Sequence, residues 1–278
     1  MAALAQRPFL LADRPLGFAH RGGAALWPEN TLVAFEHALA LGCRYLETDV
    51  HVTRDGKVVV LHDAQLGRTT DGAGLVAEHT YSELCRLDAG HRFSPRPSAS
   101  ATRAVTEYPW RGRGLRIPRF EELLELSGDA LFNVELKSRD PRLAKGFWEL
   151  VETHGLHDRV LVAAAIDPVV RAFRQLSRGR VATSASRREV TAFWAACRAN
   201  LSTWIPVHYD ALQVPTHSGR LTIVDRAFIT AAHARGLDVH VWTIDDAQEM
   251  RALLELGVDG LMSDRPDQLR EVLNEYRR

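Results

Sequence analysis

Short runs of β-branched and apolar residues alternate along this chain with stretches whose apolar residues recur at helical spacing. That alternation constrains the fold most, because parallel strands can be joined only by a crossover long enough to hold a helix. The strand-like runs fall at 16–20, 45–50, 131–136, 160–164, 181–184, 211–214, 239–244 and 260–262. Helical patterns lie near 141–154, 167–176, 187–199, 224–234, 246–256 and 266–276. An earlier helix starts at Asn30, the expected N-cap, with Leu32, Phe35 and Leu39 on one face. A closed α/β barrel needs about 250 residues, and the chain has 278, so one barrel spanning 1–278 fits without a second domain.

One run stands apart. Residues 57–61 follow the second strand after only Arg54-Asp55-Gly56, too short a link for a parallel partner. This run must return antiparallel, as a hairpin on the barrel rim. With it, nine strand candidates compete for eight barrel places, and the pattern alone leaves the count open. If Asp55-Gly56 is a two-residue loop, paired residue numbers sum to 111 and Asp49 lies opposite His62; a bulge shifts this by one. From Asp63 to Pro118 the periodicity weakens through Gly-, Pro- and Arg-rich segments, with a helical turn or two near 82–87. This reads as a small insertion subdomain, 63–118, within the barrel domain.

Charge and cysteine content narrow the function classes. The 35 basic and 35 acidic residues cancel, so no global field draws the chain to nucleic acid or an anionic membrane. The sequence Arg111-Gly112-Arg113-Gly114 lacks interleaved aromatics and reads as a loop. Cys43, Cys85 and Cys197 form neither a disulfide framework nor a zinc spacing, which suits a reducing compartment. The first residues lack the basic start and apolar run of a secretory signal, and no stretch reaches the roughly 18 apolar residues of a membrane span. A cytoplasmic protein is the expectation. Oligomeric state is not legible.

Chemistry concentrates at strand ends. Glu47 and Asp49 are two apart, so both point to one face of their strand, and Glu135 and Lys137 repeat the relation on another. Barrel interiors normally hold branched apolar layers, so inward carboxylates need compensation. A divalent cation supplies it, and an all-oxygen donor set favours Mg2+ or Ca2+ over zinc. The alternative is a solvated face or pairing with arginine. His20 ends the first strand, and the hairpin returns His62 to the level of the carboxylates. Two imidazoles beside a metal are what acid–base cleavage of a phosphodiester needs, one taking a proton and the other giving one. Arg21, followed by Gly22-Gly23, can grip a phosphate oxygen while the glycines allow close backbone approach. Lys137, one of only three lysines beside 32 arginines, either steadies charge growing on phosphorus or pairs with Glu135.

The segment GFAHRGGAALWPENTLVAFEHALALGCRYLETDVHVTRDGKVVVLHD resembles the core signature of the glycerophosphodiester phosphodiesterase family. The likeness continues in order through LGRTTDGAG, IPRFEELLEL, NVELK, VHVWTID and GVDGLMSDRP, and so covers nearly the whole chain. It implies a distorted (β/α)8 barrel with eight strands plus the rim strand. It further implies His20 and His62 as the acid–base pair, Glu47, Asp49 and Glu135 as metal ligands, Arg21 and Lys137 as phosphate contacts, and Trp242 as a substrate-pocket residue. The implied substrate is a small glycerophosphodiester, cleaved to glycerol 3-phosphate and an alcohol through a cyclic phosphate. Where the family often has Asn, Asp245 follows Trp242-Thr243-Ile244 here and still suits a helix cap.

Several residues are discounted. His51 is expected to be solvated, His240 to be a hydrogen-bonded barrel residue, and Glu29 to be a first-turn helix charge. His208, His217 and His233 have no evident partner. Phe93, Tyr108 and Trp110 in the 91–116 stretch are expected over the pocket, which leaves the size of the alcohol open. They motivate a related reading, a lysophospholipase D acting on single-chain lipids, with peripheral lipid contact. A barrel that binds phosphodiester headgroups without turnover, and a lyase stopping at the cyclic phosphate, are the remaining alternatives.

Overall fold

The computed structural model of the protein describes residues 7–11, 14–95, 107–126 and 128–277. Its strands, in chain order, are β1 (Leu16–His20), β2 (Tyr45–Val52), β3 (Val58–Val60), β4 (Leu131–Leu136), β5 (Val160–Ala163), β6 (Ala182–Thr183), β7 (Ala211–Val214), β8 (His217–Ser218), β9 (Leu221–Thr222), β10 (Asp238–Val241) and β11 (Gly260–Ser263). Eight of them are parallel neighbours in the order β6-β5-β4-β2-β1-β11-β10-β7. A single parallel bridge, Ser184 to Ala211, draws the two ends together. The result is a nearly closed (β/α)8 barrel. The nine strand candidates are therefore eight barrel strands plus β3, and β8–β9 is a further small hairpin after β7.

The helices are α1 (Pro8–Leu11), α2 (Leu32–Ala40), α3 (Tyr81–Leu84), α4 (Phe120–Leu126), α5 (Pro141–Thr153), α6 (Asp167–Ser177), α7 (Arg187–Arg198), α8 (Arg226–His233), α9 (Ala247–Leu256) and α10 (Pro266–Tyr276). Strands such as β2 and β5 are buried along their whole length, because helices cover one face and the barrel interior the other. The interior layer, Phe18, Tyr45, Leu131, Leu161 and Met262, is closed from below by Phe9 and Leu10 of α1. Tyr45 donates its hydroxyl to the Phe9 carbonyl at 2.8 Å. A four-residue helix has no stability of its own. Burying Phe9, worth roughly 1.5–3 kcal/mol, is what holds α1 in place.

The hairpin departs from the simplest expectation. Val50 faces Val60 and Val52 faces Val58, so paired residues sum to 110 rather than 111. The loop is three residues, Arg54-Asp55-Gly56, closed by Thr53 N–H donating to Lys57 O at 2.9 Å. Gly56 adopts φ +80°, the left-handed position that three-residue hairpin loops require. Asp49 therefore faces Leu61, and His62 stands one residue further along.

Between β3 and α4 the chain forms two 3-10 turns, Leu66–Arg68 and Val76–Glu78, and the single turn of α3. They close over an apolar cluster that includes Val59, Leu61, Leu66, Val76, Leu84 and Ile117. Residues 96–106 of the Arg-rich stretch lie outside the described residues. Among the described residues no helix is long and apolar enough to cross a membrane, and all three cysteines are free.

Candidate active site

Parallel register builds the site. Across β2 and β4, Glu47 pairs with Asn133 and Asp49 with Glu135, while His20 pairs with Glu47 across β1 and β2. His20 and Glu135 stand at the carboxyl ends of β1 and β4, the side where barrel enzymes place their chemistry, and Glu47, Asp49 and Asn133 come earlier along β2 and β4. Together with Arg21, His62, Lys137 and Trp242 they line one cavity of about 820 Å3 at the barrel mouth. All eight singled-out residues are thus on its wall.

The carboxylates are buried and unequal. Glu47 is 4% and Asp49 1% exposed. Lys137 Nζ lies 3.1 Å from Asp49 Oδ1 and 2.7 Å from Glu135 Oε2, bridging the two acids. Arg21 Nε lies 3.3 Å from Asp49 Oδ2. Burial pushes the Asp49 carboxyl up, yet Lys137 and Arg21 outweigh it and hold it below the usual carboxylate range. Among the described residues the one hydrogen bond that Glu47 accepts is from the Arg21 backbone N–H, at 3.0 Å. Burial and the neighbouring Asp49 charge push its carboxyl up to about 7.

The imidazoles are each tied to a carboxylate. His20 Nδ1 is 2.6 Å from Asp264 Oδ1, and its Nε2 is 3.8 Å from Glu47 Oε2. Burial lowers its pKa, but Glu47 and Asp264 more than offset this and raise it overall. His62 Nδ1 is 2.5 Å from Asp63 Oδ1. Arg68 holds the other oxygen of Asp63 and reaches Glu29 at 2.7 and 2.8 Å, and Glu29 in turn accepts from Arg21 at 3.0 Å. One arginine of the insertion therefore steadies both His62 and Arg21.

The loop after β1 corrects the expectations for Asn30 and Glu29. The helix N-cap is Thr31, whose hydroxyl accepts from Ala34 N–H; Asn30 precedes it in the left-handed region at φ +57°. Asn30 is instead a buried site residue, donating from Nδ2 to Asp49 Oδ2 at 3.0 Å and accepting from the Thr48 hydroxyl at 2.9 Å. Glu29 lies before the helix and is an ion-pair partner rather than a first-turn charge. Gly22 and Gly23 serve packing: a Cβ on either would meet Ala34 or Pro266 at 2.8 Å. His51 is also buried, at 4% exposure, and its Nε2 donates to the His62 carbonyl at 3.0 Å, because the hairpin folds over it. His240 is a fully buried barrel residue, as its spacing predicts. His233 has a partner after all, Asp259, at 2.8 Å.

The opposite wall is mostly apolar, with Arg187, Thr191 and Ser218 as its polar members. Ala163, Ala164 and Ala165 at the end of β5, Val190 and Trp194 of α7, and Leu221 and Ile223 of the β8–β9 hairpin form it. Phe93, Tyr108 and Trp110 are not among the residues that line the cavity. Asn30, Asp63, Asp264 and Arg68 are the contributors that sequence reasoning missed. Position alone marked Asp63 and Asp264, each beside the end of a strand.

The residues fit a hard cation on two counts: the donor set is all oxygen, and among the described residues Glu47 has no Lys or Arg ion pair of the kind Asp49 has, only His20 at 3.8 Å. Among the described residues no three His, Cys, Asp or Glu side chains already converge as a metal cage, and Lys137 stands between two of the acids.

The model of the Glycerophosphoryl diester phosphodiesterase family matches residues 20–268. A glycerophosphodiester phosphodiesterase of Bacillus altitudinis is 32% identical over 94% of this chain and 98% of its own. The lysophospholipase D GDPD1 of Mus musculus is 28% identical over 93% of this chain and 86% of its own. The crystal structure of a glycerophosphoryl diester phosphodiesterase domain from Mycobacterium tuberculosis superposes with a TM-score of 0.78 at 22% identity, covering 96% of this chain and 100% of that domain.

Proposed function

The chain belongs to the glycerophosphoryl diester phosphodiesterase family of phosphoric diester hydrolases, and from that premise we propose a metal-dependent cleavage run by two imidazoles. The observation that carries the proposal is the pairing of His20 and His62 on the wall that holds Glu47, Asp49 and Glu135. Each Nδ1 is engaged by a carboxylate, which leaves each Nε2 for proton transfer. A divalent cation, Mg2+ or Ca2+, held by Glu47, Asp49 and Glu135 supplies charge neutralisation for the phosphoryl oxygens. Arg21 and Lys137, ion-paired with the acids, would have charge to offer the phosphate.

In the first step the glycerol hydroxyl beside the phosphoester attacks phosphorus. One imidazole takes its proton and the other protonates the departing alcohol oxygen, so the phosphorus–alcohol bond breaks and a cyclic phosphate forms. Water then opens the ring with the proton roles reversed, giving glycerol 3-phosphate. The attacking group is part of the substrate, so proximity replaces a protein nucleophile. Trp242, 42% exposed at the mouth, packs against the substrate. In this reading 63–118 is an insertion within one barrel domain, and the three free cysteines suit the cytoplasm.

Glycerophosphocholine with Mg2+ or Ca2+ should yield glycerol 3-phosphate, and a chelator should stop the release. No product from any glycerophosphodiester would sink the reading, and phosphorus NMR that stopped at the cyclic phosphate would make the protein a lyase. A lysophospholipase D activity is the second reading, favoured by the apolar wall from Ala163 to Ile223. A rate that climbs with acyl-chain length would select it.

A further inference from the structure

Beneath the carboxylates the barrel interior is polar where branched apolar layers are the rule. Asn133 sits two residues below Glu135 on the same face of β4 and in register with Glu47. Gln213 of β7 reaches across the barrel and donates from Nε2 to Asn133 Oδ1 at 2.7 Å. The same nitrogen lies 3.3 Å from His240 Nδ1. Both amides line the cavity.

The buried residues below fix which way these amides point. Arg14 clamps Asp238 with one nitrogen, at 2.9 Å and 2.7 Å to its two oxygens. His240 Nε2 faces that carboxylate at 3.6 Å, a long contact that makes no hydrogen bond. A lone pair turned toward a carboxylate would be repelled, so the proton of His240 belongs on Nε2 and Nδ1 is the acceptor. Nδ1 then requires a donor, and Gln213 must present its NH2 group downward and sideways. What remains for the cavity is Gln213 Oε1 and Asn133 Nδ2. Among the described residues neither has a protein hydrogen-bond partner.

An acceptor beside a donor is complementary to a neutral hydroxyl, which is both. It offers nothing to an ammonium or a second phosphate that water does not. We propose that Asn133 and Gln213, oriented by His240, form a subsite for the free terminal hydroxyl of the glycerol moiety. This rests on the proposed cleavage: the glycerol carries the attacking hydroxyl, so it must lie against the carboxylates, and its remaining hydroxyl is one carbon further down. The substrates are therefore diesters of unacylated glycerol, and the alcohol departs toward the apolar wall and the open mouth.

The test compares glycerophosphocholine with the choline phosphodiester of propane-1,2-diol, which keeps the attacking hydroxyl and lacks the terminal one. The wild-type protein should favour the glycerol diester in kcat/KM by roughly tenfold to a hundredfold, because the analogue leaves the buried Asn133 and the half-buried Gln213 unpaired. Gln213→Met should lose most of that preference by slowing the glycerol diester while the analogue holds its rate. Asn133→Ala is the second variant, should the first fail to fold. Equal turnover of both diesters, an equal fall for both in the variants, or faster turnover of an acylated diester overturns the proposal. Calorimetric binding of glycerol 3-phosphate against propane-1,2-diol 1-phosphate separates it from the chemistry. Tighter binding of glycerol 3-phosphate without turnover would leave the subsite standing and fell the catalytic reading.

Discussion

The two halves of the cavity are built on opposite principles. The arc from β1, β2 and β4 is crowded with ionised groups that hold one another in place through bonds of 2.5–3.3 Å. The arc from β5, α7 and the β8–β9 hairpin is mostly alanine, valine, leucine, isoleucine and tryptophan, with Arg187, Thr191 and Ser218 as its scattered polar members. Removing one member of the charged arc leaves its partner buried and uncompensated, so effects there are large and cooperative. Removing one apolar side chain costs only its own contact with whatever lies against it. The first arc fixes a reaction, and the second sets how much of the substrate is welcome.

Substitutions sharpen that contrast. The largest effect is expected for His20→Ala or His62→Ala, a fall in kcat of about 10²–10⁴-fold with circular dichroism unchanged. Activity near wild type in either would place the proton transfers elsewhere and remove the charged arc's special standing. Next comes Asp264→Asn, which keeps the shape but weakens the bond to His20. A charge-assisted hydrogen bond of this kind corresponds to about tenfold to a hundredfold in kcat. Arg68→Gln should cost less, about threefold to tenfold, because its ion pairs are half exposed. Steady-state rates with glycerophosphocholine check both, and a loss as great for Arg68 as for His20 would break the ordering. The smallest effect belongs to the apolar arc. Val190→Asp should leave glycerophosphocholine turnover within about twofold, yet remove any rate gained by lengthening an alkyl chain on the alcohol. On the wild type each added methylene in contact is worth about 0.8 kcal/mol, or roughly fourfold. A flat chain-length series would show that the apolar arc is idle.

The same contrast decides what the sequence disclosed. Glu47 and Asp49, or Glu135 and Lys137, lie two apart on one strand, and a period of two is readable without coordinates. His20 and His62 stand at strand ends, so their convergence followed from the barrel and the hairpin. The β2–β3 register came out one residue off because a three-residue loop with Gly56 in the left-handed region replaced the two-residue turn. Asn30 passed for a helix cap because Asn commonly caps helices; its buried place beside Asp49 depends on a left-handed turn that its identity only permits. The apolar arc was invisible. Ala163, Val190 and Ile223 belong to three separate elements and carry no pattern beyond ordinary core residues. For the same reason, the aromatics of the insertion were expected over the pocket, where Trp194 of α7 joins Trp242 instead.

The seam of the barrel gives the apolar arc a further meaning. Strands β6 and β7 meet at one bridge, Ser184 to Ala211, directly under that wall, whereas β2 and β4 are paired along six residues beneath the charged one. Segments flanking the loose join can differ in length at little cost to the sheet, and the shape of that wall changes with them. The firmly laced side keeps its atoms in place throughout, and selection can revise the guest list without touching the machinery.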